Sequence, residues 1–190
     1  VYKTIRKNKN NNIMKEKHKE ADTVSKDIQT YLSFRLGDEE FATNVQKVLN
    51  ILELKPITKV PHSPEYMCGV INLRGNVLPV VDMRVKFGME KKEATPDTCI
   101  IVLNVDISGE EVMLGILVDS VSEVLEIDEM QVEPSPSIGT RYKAEFIKGM
   151  WRQGDDAFIM LLNIDLIFST NEVVLLQAKT EEAGEVKEEE

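Results

Sequence analysis

The chain has 190 residues, 42% of them apolar, and a formal net charge of −10, which suits one ordinary domain or two small lobes around a real core. So acidic a balance excludes a role built on neutralising phosphates, and nucleic acid is not expected as a partner. The longest uninterrupted apolar run, Ala157 to Leu162, is far too short for a bilayer and the N-terminus lacks a signal-peptide core, so the reading is a cytoplasmic protein with no direct membrane insertion.

In chain order, residues 1–29 form a basic tail rich in Lys and Asn with no hydrophobic period. It has too little to bury to offset the entropy of ordering, and disorder is predicted. Met14 could be the natural start, with the residues before it an extension. The folded part begins near Thr30. Tyr31, Leu32, Phe34 and Leu36 form a roughly alternating strand, Gly37-Asp38 a turn, and Glu40 to Thr43 a second strand, together a hairpin. Val45, Val48, Leu49 and Leu52 then fall at i, i+3, i+4 and i+7, and Thr43 with Gln46 can make a capping box. This spacing predicts a short helix ended before Pro56. Lys55 to Pro64, with its three prolines, is an extended connector.

The run GVINLRGNVLPVVD, residues 69–82, holds two apolar strands around Arg74-Gly75-Asn76. Gly75 supplies the positive φ of a tight turn and Asn76 tolerates one. Pro79 cannot donate to a ladder, which puts its nitrogen at an edge, bulge or bend. Arg74 is a charge at the end of a rigid hairpin, a position where a merely solvated arginine is the commoner case. Met83, Val85 and Phe87 before Gly88 suit one helical turn with a glycine C-cap. After a polar loop from Glu90 to Asp97, strands are predicted at Cys99–Val105, Val112–Val118, Val121–Ile127 and Phe146–Arg152. Glu133 to Lys143 is a Pro, Ser and Gly-rich loop. Ala157 to Leu162 pairs back across Gly154, Asn163 caps a short helix to Phe168, and Ser169 with Glu172 caps another before the acidic end.

No catalytic constellation emerges. Two histidines and two separated cysteines, Cys68 and Cys99, allow no zinc site of usual spacing, and both thiols are read as buried and reduced. His62-Ser63 lacks a nucleophile elbow. Gly69 to Gly75 has no following Lys-Ser/Thr and is no P-loop. Asn104 to Gly109 opens like a calcium loop, but the twelfth position is Gly115 instead of Glu, and a turn between strands explains the same residues. No cofactor is expected.

About nine short strands with few helices indicate an all-β sandwich or a pair of small barrels, and periodicity does not choose. Residues 69–82 resemble the signature of the CheW family, coupling proteins of bacterial chemotaxis, in which a strand ends in Asn-Leu-Arg-Gly and Pro-Val-Val-Asp follows. Leu36-Gly-Asp-Glu-Glu-Phe41, the turn containing Val48, Ile116 to Val124, Ile147-Lys-Gly-Met150 and Leu162-Asn-Ile-Asp165 fit the same family in order. The resemblance implies a mainly β fold of two SH3-like five-stranded barrels side by side, with a few short helices and a C-terminal helix. It spans residues 30–170, leaving 171–190 as a short helix and acidic tail.

It further implies a non-enzymatic adaptor that joins the cytoplasmic tip of a chemoreceptor hairpin to the regulatory domain of the histidine kinase CheA, with ring or array assembly possible. A CheW-like adaptor of a non-chemotaxis kinase pathway is the alternative. A receiver domain of the CheV kind is not expected after Thr170. Receptor contact is expected at Val45, Val48, Asn50, Arg74 and Cys99, and kinase contact at Leu114, Ile116, Val118, Ser120, Val121 and Val124. The family often has Glu where Asn50 stands, facing the signature arginine. Arg74 is therefore expected to be held weakly by Asn50 or to find Glu53.

Overall fold

A computed structural model describes residues 26–135, 144–154, 157–168 and 172. Residues 1–25 of the N-terminal tail, the centre of the loop after Glu133, and the acidic end lie outside the described residues, as does the second C-terminal helix apart from Glu172, while Ile28 and Gln29, expected in the tail, belong to the first strand. Among the described residues, ten strands build two five-stranded sheets. The first hairpin is β1 (Ile28–Leu36) and β2 (Glu39–Asn44), turned at Gly37 with φ 66°.

The helix expected over Val45 to Leu52 does not form. Val45–Lys47 makes a single 3-10 turn, and Val48–Glu53 continues as strand β3. An isolated helix so short cannot repay its nucleation cost, whereas β3 pairs along β6 (Cys99–Ile107), with Ile51 opposite Ile101. The cap also moves by one residue. Asn44 Oδ1 accepts the Gln46 N–H at 2.9 Å, while Thr43 is buried within β2.

The connector joins the sheet at one point, where Thr58 and Val70 exchange backbone hydrogen bonds of 2.9 and 2.8 Å. Strands β4 (Met67–Leu73) and β5 (Asn76–Asp82) then form the expected hairpin. Its two turn residues are Arg74 at φ 53° and Gly75 at φ 92°, so the second left-handed residue is Arg74, and Asn76 already belongs to the strand. Asn72 Oδ1 holds the turn by accepting the Gly75 N–H at 2.9 Å. The hairpin of β6 with β7 (Glu110–Val118) repeats this arrangement: Ser108 and Gly109 have φ 58° and 87°, and Asp106 Oδ1 accepts the Gly109 N–H at 2.9 Å. The polar run of calcium-loop appearance is thus a hairpin turn. Pro79 sits opposite Val70, one residue before the parallel pairing of β5 with β7 begins at Val80.

Helix α1 (Met83–Lys86) starts under Asp82, whose Oδ1 accepts the Arg84 and Val85 N–H groups, and closes at Gly88 with φ 73°. The chain continues through β8 (Ser120–Asp128), β9 (Ile147–Gln153), β10 (Ala157–Leu162) and α2 (Ile164–Ile167). Asn163 occupies the cap position of α2, but its side chain makes no capping bond.

Strand order is β8-β1-β2-β10-β9 in one sheet and β3-β6-β7-β5-β4 in the other, each with one parallel pair in the same place, β2 with β10 and β7 with β5. The lobes therefore share a topology, with chain order permuted: β8, β9, β10, β1 and β2 correspond to β3, β4, β5, β6 and β7. Details follow the correspondence. Each lobe has an isolated bridge from the connector to its hairpin, Thr58 to Val70 and Glu133 to Met150, with a glycine just before the bridged residue. A Cβ on Gly69 would lie 2.1 Å from the Thr58 carbonyl oxygen, and one on Gly149 2.3 Å from a Val132 methyl. Each β5/β10 strand runs into a four-residue helix followed by Phe87 or Phe168.

Three cores result. Tyr31, Ala42, Ile127, Ile159 and Leu161 fill the first lobe, and Ile71, Leu78, Val80, Ile100 and Val102 the second. The largest cluster lies between the lobes and takes residues from both, including Phe34, Phe41, Phe87, Ile101, Leu103 and Phe146. Its rings interleave, with centroids 6.1 Å apart for Phe34–Phe41, 5.6 Å for Phe41–Phe87 and 6.1 Å for Phe87–Phe146.

Candidate partner-binding surfaces

Opposite residues of an antiparallel pair share a sheet face. Val48 opposes Leu103 and Ile51 opposes Ile101, both members of the interlobe core. Because β3 is an edge strand, this face is only partly covered. Val45, Val48, Cys99 and Val121 are half-buried against the interlobe core, and Ile51 is 44% exposed. Cys99 pairs with Glu53 at the far end of β3, and the Val121 backbone amide approaches its sulfur. Val45, Val48, Ile51 and Cys99 thus mark an apolar strip along the seam, which Val121 borders at the Cys99 end. Because β3 bulges between Val48 and Asn50, Val48 to Glu53 covers the four steps from Leu103 to Cys99 on β6, about 13 Å at a strand's rise, the length of between two and three helical turns.

The expected receptor residues divide accordingly. Val45, Val48 and Cys99 line the strip. Asn50 opposes Val102 of the second lobe's own core, so it belongs to the other face of β3, and its Oδ1 accepts the Ile51 N–H at 2.9 Å. Arg74 is exposed and, among the described residues, makes no hydrogen bond or ion pair with Asn50, Glu53 or any other group. Its expected pairing is corrected: the turn is held by Asn72, and Asn50 spends its acceptor locally. Ile51 was missed because helical spacing placed only Val45, Val48, Leu49 and Leu52 on one face; reading the run as a strand would have found it.

The expected kinase residues also divide. Leu114, Ile116 and Val118 are fully buried in the interlobe core, which corrects their placement on a contact surface: on β7, a central strand, their side chains face inward. Ser120 and Val121 are half-buried and Val124 is exposed on β8, the edge strand corresponding to β3. Val124 opposes Leu32 and Glu126 opposes Thr30, the places that Val48 and Ile51 hold in the other lobe. At these two places the β3 edge is apolar, with Val48 and Ile51, and its counterpart carries an acid, Glu126.

Among the described residues, two ion pairs in corresponding places clasp the lobes. Arg84 on α1 pairs with Asp119 between β7 and β8, and Asp119 Oδ2 also accepts the Gly37 N–H at 2.6 Å. Asp165 on α2 pairs with Lys47 between β2 and β3 at 2.8 Å and accepts the Asp106 N–H at 2.8 Å. Arg84 and Asp165 hold equivalent positions in the two helices, so the clasps correspond with their charges exchanged. Beside Arg84 and Asp119 a cavity of about 30 Å³, lined also by Asp82 and Thr98, has room for one water.

Both cysteines are free and half-buried, more open than expected. Burial and nearby Asp82 push the Cys68 thiol from 9.0 up to about 11, and burial raises Cys99, which leaves both poor nucleophiles. Ser63 Oγ donates to the Val60 carbonyl at 2.9 Å. Among the described residues no group of His, Cys, Asp and Glu could hold a metal ion, and no helix is long and apolar enough to cross a membrane.

Residues 30–172 match the family model of the CheW-like domain. The chain is 38% identical over 141 residues to the probable chemotaxis protein CheW of Rhizobium etli, covering 74% of this chain and 88% of that protein. It is 34% identical over 148 residues to the chemotaxis protein CheW of Klebsiella aerogenes, covering 78% and 86%. Its fold is similar to that of the scaffolding protein TtCheW from Thermoanaerobacter tengcongensis, with a TM-score of 0.67 and 33% identity, covering 76% of this chain and 90% of that one. Paired five-stranded lobes, the Asn72-Leu-Arg-Gly75 turn and this match over most of the chain together establish that the protein belongs to the CheW family of chemotaxis scaffold proteins.

Proposed function

We propose that this chain is a non-enzymatic adaptor that binds the cytoplasmic tip of a chemoreceptor and the regulatory domain of the histidine kinase CheA at the same time, at the inner face of the membrane. The observation that carries the reading is the apolar strip along β3, open to solvent yet continuous with the interlobe core. An amphipathic helix laid there would bury one apolar stripe over roughly two to three turns. Val45, Val48, Ile51 and Cys99 supply the wall, and Arg74 is available to an acidic group of the receptor. Ser120, Val121 and Val124 on and beside the counterpart edge supply kinase contacts. Two unlike edges on one rigid body allow one partner each, and alternation of adaptor and kinase could close into rings.

Receptor state would reach the kinase through differential contacts with a shared adaptor. The test is co-elution of the protein with a soluble receptor hairpin fragment and the kinase regulatory domain, where a ternary complex is expected. Ile51→Glu should weaken receptor binding by about tenfold or more, as for a central apolar anchor, and leave kinase binding intact. Binding to neither partner would sink the reading. Kinase binding without chemoreceptor binding would favour an adaptor of another histidine-kinase pathway.

A further inference from the structure

The 3-10 turn Val45–Lys47 carries two of the proposed receptor contacts, Val45 within it and Val48 just after it, yet none of its residues is buried. Locally it is closed by the Val48 N–H on the Val45 carbonyl and by the Asn44 cap. Besides the packing of Val45 on the interlobe core, it is tied to α2 by Lys47, whose ammonium meets Asp165 Oδ1 at 2.9 Å and Oδ2 at 2.8 Å. The same carboxylate accepts the Asp106 N–H at the end of β6. One group on α2 therefore fixes both the turn and the strand over which the strip is laid.

The two clasps differ in depth. Arg84 and Asp119 have side chains 12% and 23% exposed, against 33% and 31% for Lys47 and Asp165. A pair so open to water is screened and contributes little to stability. What it does fix is direction, since a carboxylate held by a backbone amide offers the ammonium one place to sit.

We propose that Lys47 and Asp165 are positioning residues for receptor binding: their ion pair, anchored on the Asp106 amide, holds the turn so that Val45 and Val48 face the incoming helix in one arrangement. The inference rests on the receptor-binding reading above. Lys47→Met and Asp165→Asn in the full chain test it; the carboxamide that the second substitution introduces still leaves an oxygen for the Asp106 N–H. Hydrogen exchange at the Gln46, Lys47 and Val48 amides should quicken in both variants. Receptor-fragment affinity should fall roughly fivefold, the scale of a partly exposed pair, while kinase affinity and melting temperature stay put. Lys47→Arg, which keeps the charge, should restore exchange and affinity. Unchanged exchange, or unchanged affinity for a fragment that the parent protein binds, overturns the positioning role. A parent protein that does not bind the fragment overturns the receptor reading and this role with it.

Discussion

Arg74 combines two opposed demands at one residue. Its φ of 53° lies where a Cβ costs about 1 kcal/mol, while glycine there would give up about as much in chain entropy. Arg74→Gly should therefore leave the melting temperature within a degree or two and still weaken receptor binding; a large thermal loss would make Arg74 structural. Tyr31, Glu129 and Lys148 show a different residue-scale effect. The buried Tyr31 hydroxyl donates to Glu129 Oε1 at 2.5 Å, and Lys148 Nζ donates to both at 3.0 and 2.7 Å. Burial and the bond to Glu129 raise the Tyr31 pKa, and for Lys148 the bonds to Glu129 and Tyr31 outweigh burial and raise it too. Both groups bind their proton more tightly when folded, so this contribution is complete below pH 10 and is lost as pH rises through the folded values. Cys68 acts in the same direction from pH 9.0 to about 11. Melting temperature should fall across this alkaline range, less steeply in Tyr31→Phe. Equal slopes would remove the assignment.

Hairpins and edge strands differ in how their elements are specified. The Arg74-Gly75 and Ser108-Gly109 turns are local: an Asn or Asp two positions before the pair, a glycine at its end, and the side chain closes the loop. That a hairpin turns at each place was legible from the residues, but the turn pair was not: the sequence put the second left-handed residue at Asn76, and the structure has it at Arg74. Strand β3 was not legible, since its six residues fit a helix as well as a strand and the edge of β6 decided the matter. Gly69 is a tertiary requirement of the same kind, with φ 137° and the Thr58 carbonyl where a Cβ would stand. Gly69→Ala should cost about 3 kcal/mol or fail to fold, whereas Gly37→Ala, with open space around it, should cost about 1 kcal/mol. Urea denaturation of both checks this, and equal losses would refute the close approach.

At the scale of the molecule, the first lobe takes β1 and β2 from one end of the chain and β8 to β10 from the other, with the whole second lobe between them. The interlobe cluster is the largest of the three cores, so neither lobe can bury its apolar surface alone. Calorimetry should show one cooperative transition, and two resolved transitions would mean independent lobes. Class, strand content and the signature hairpin are carried by local pattern, because alternation and turn chemistry act within a few residues. The shared permuted topology, the inward placement of Leu114, Ile116 and Val118, the strip with Ile51 at its middle and the two clasps of exchanged charge were decided only on folding. Each joins residues far apart in sequence, and which edge stays open or which acid meets which base depends on how one lobe packs against the other.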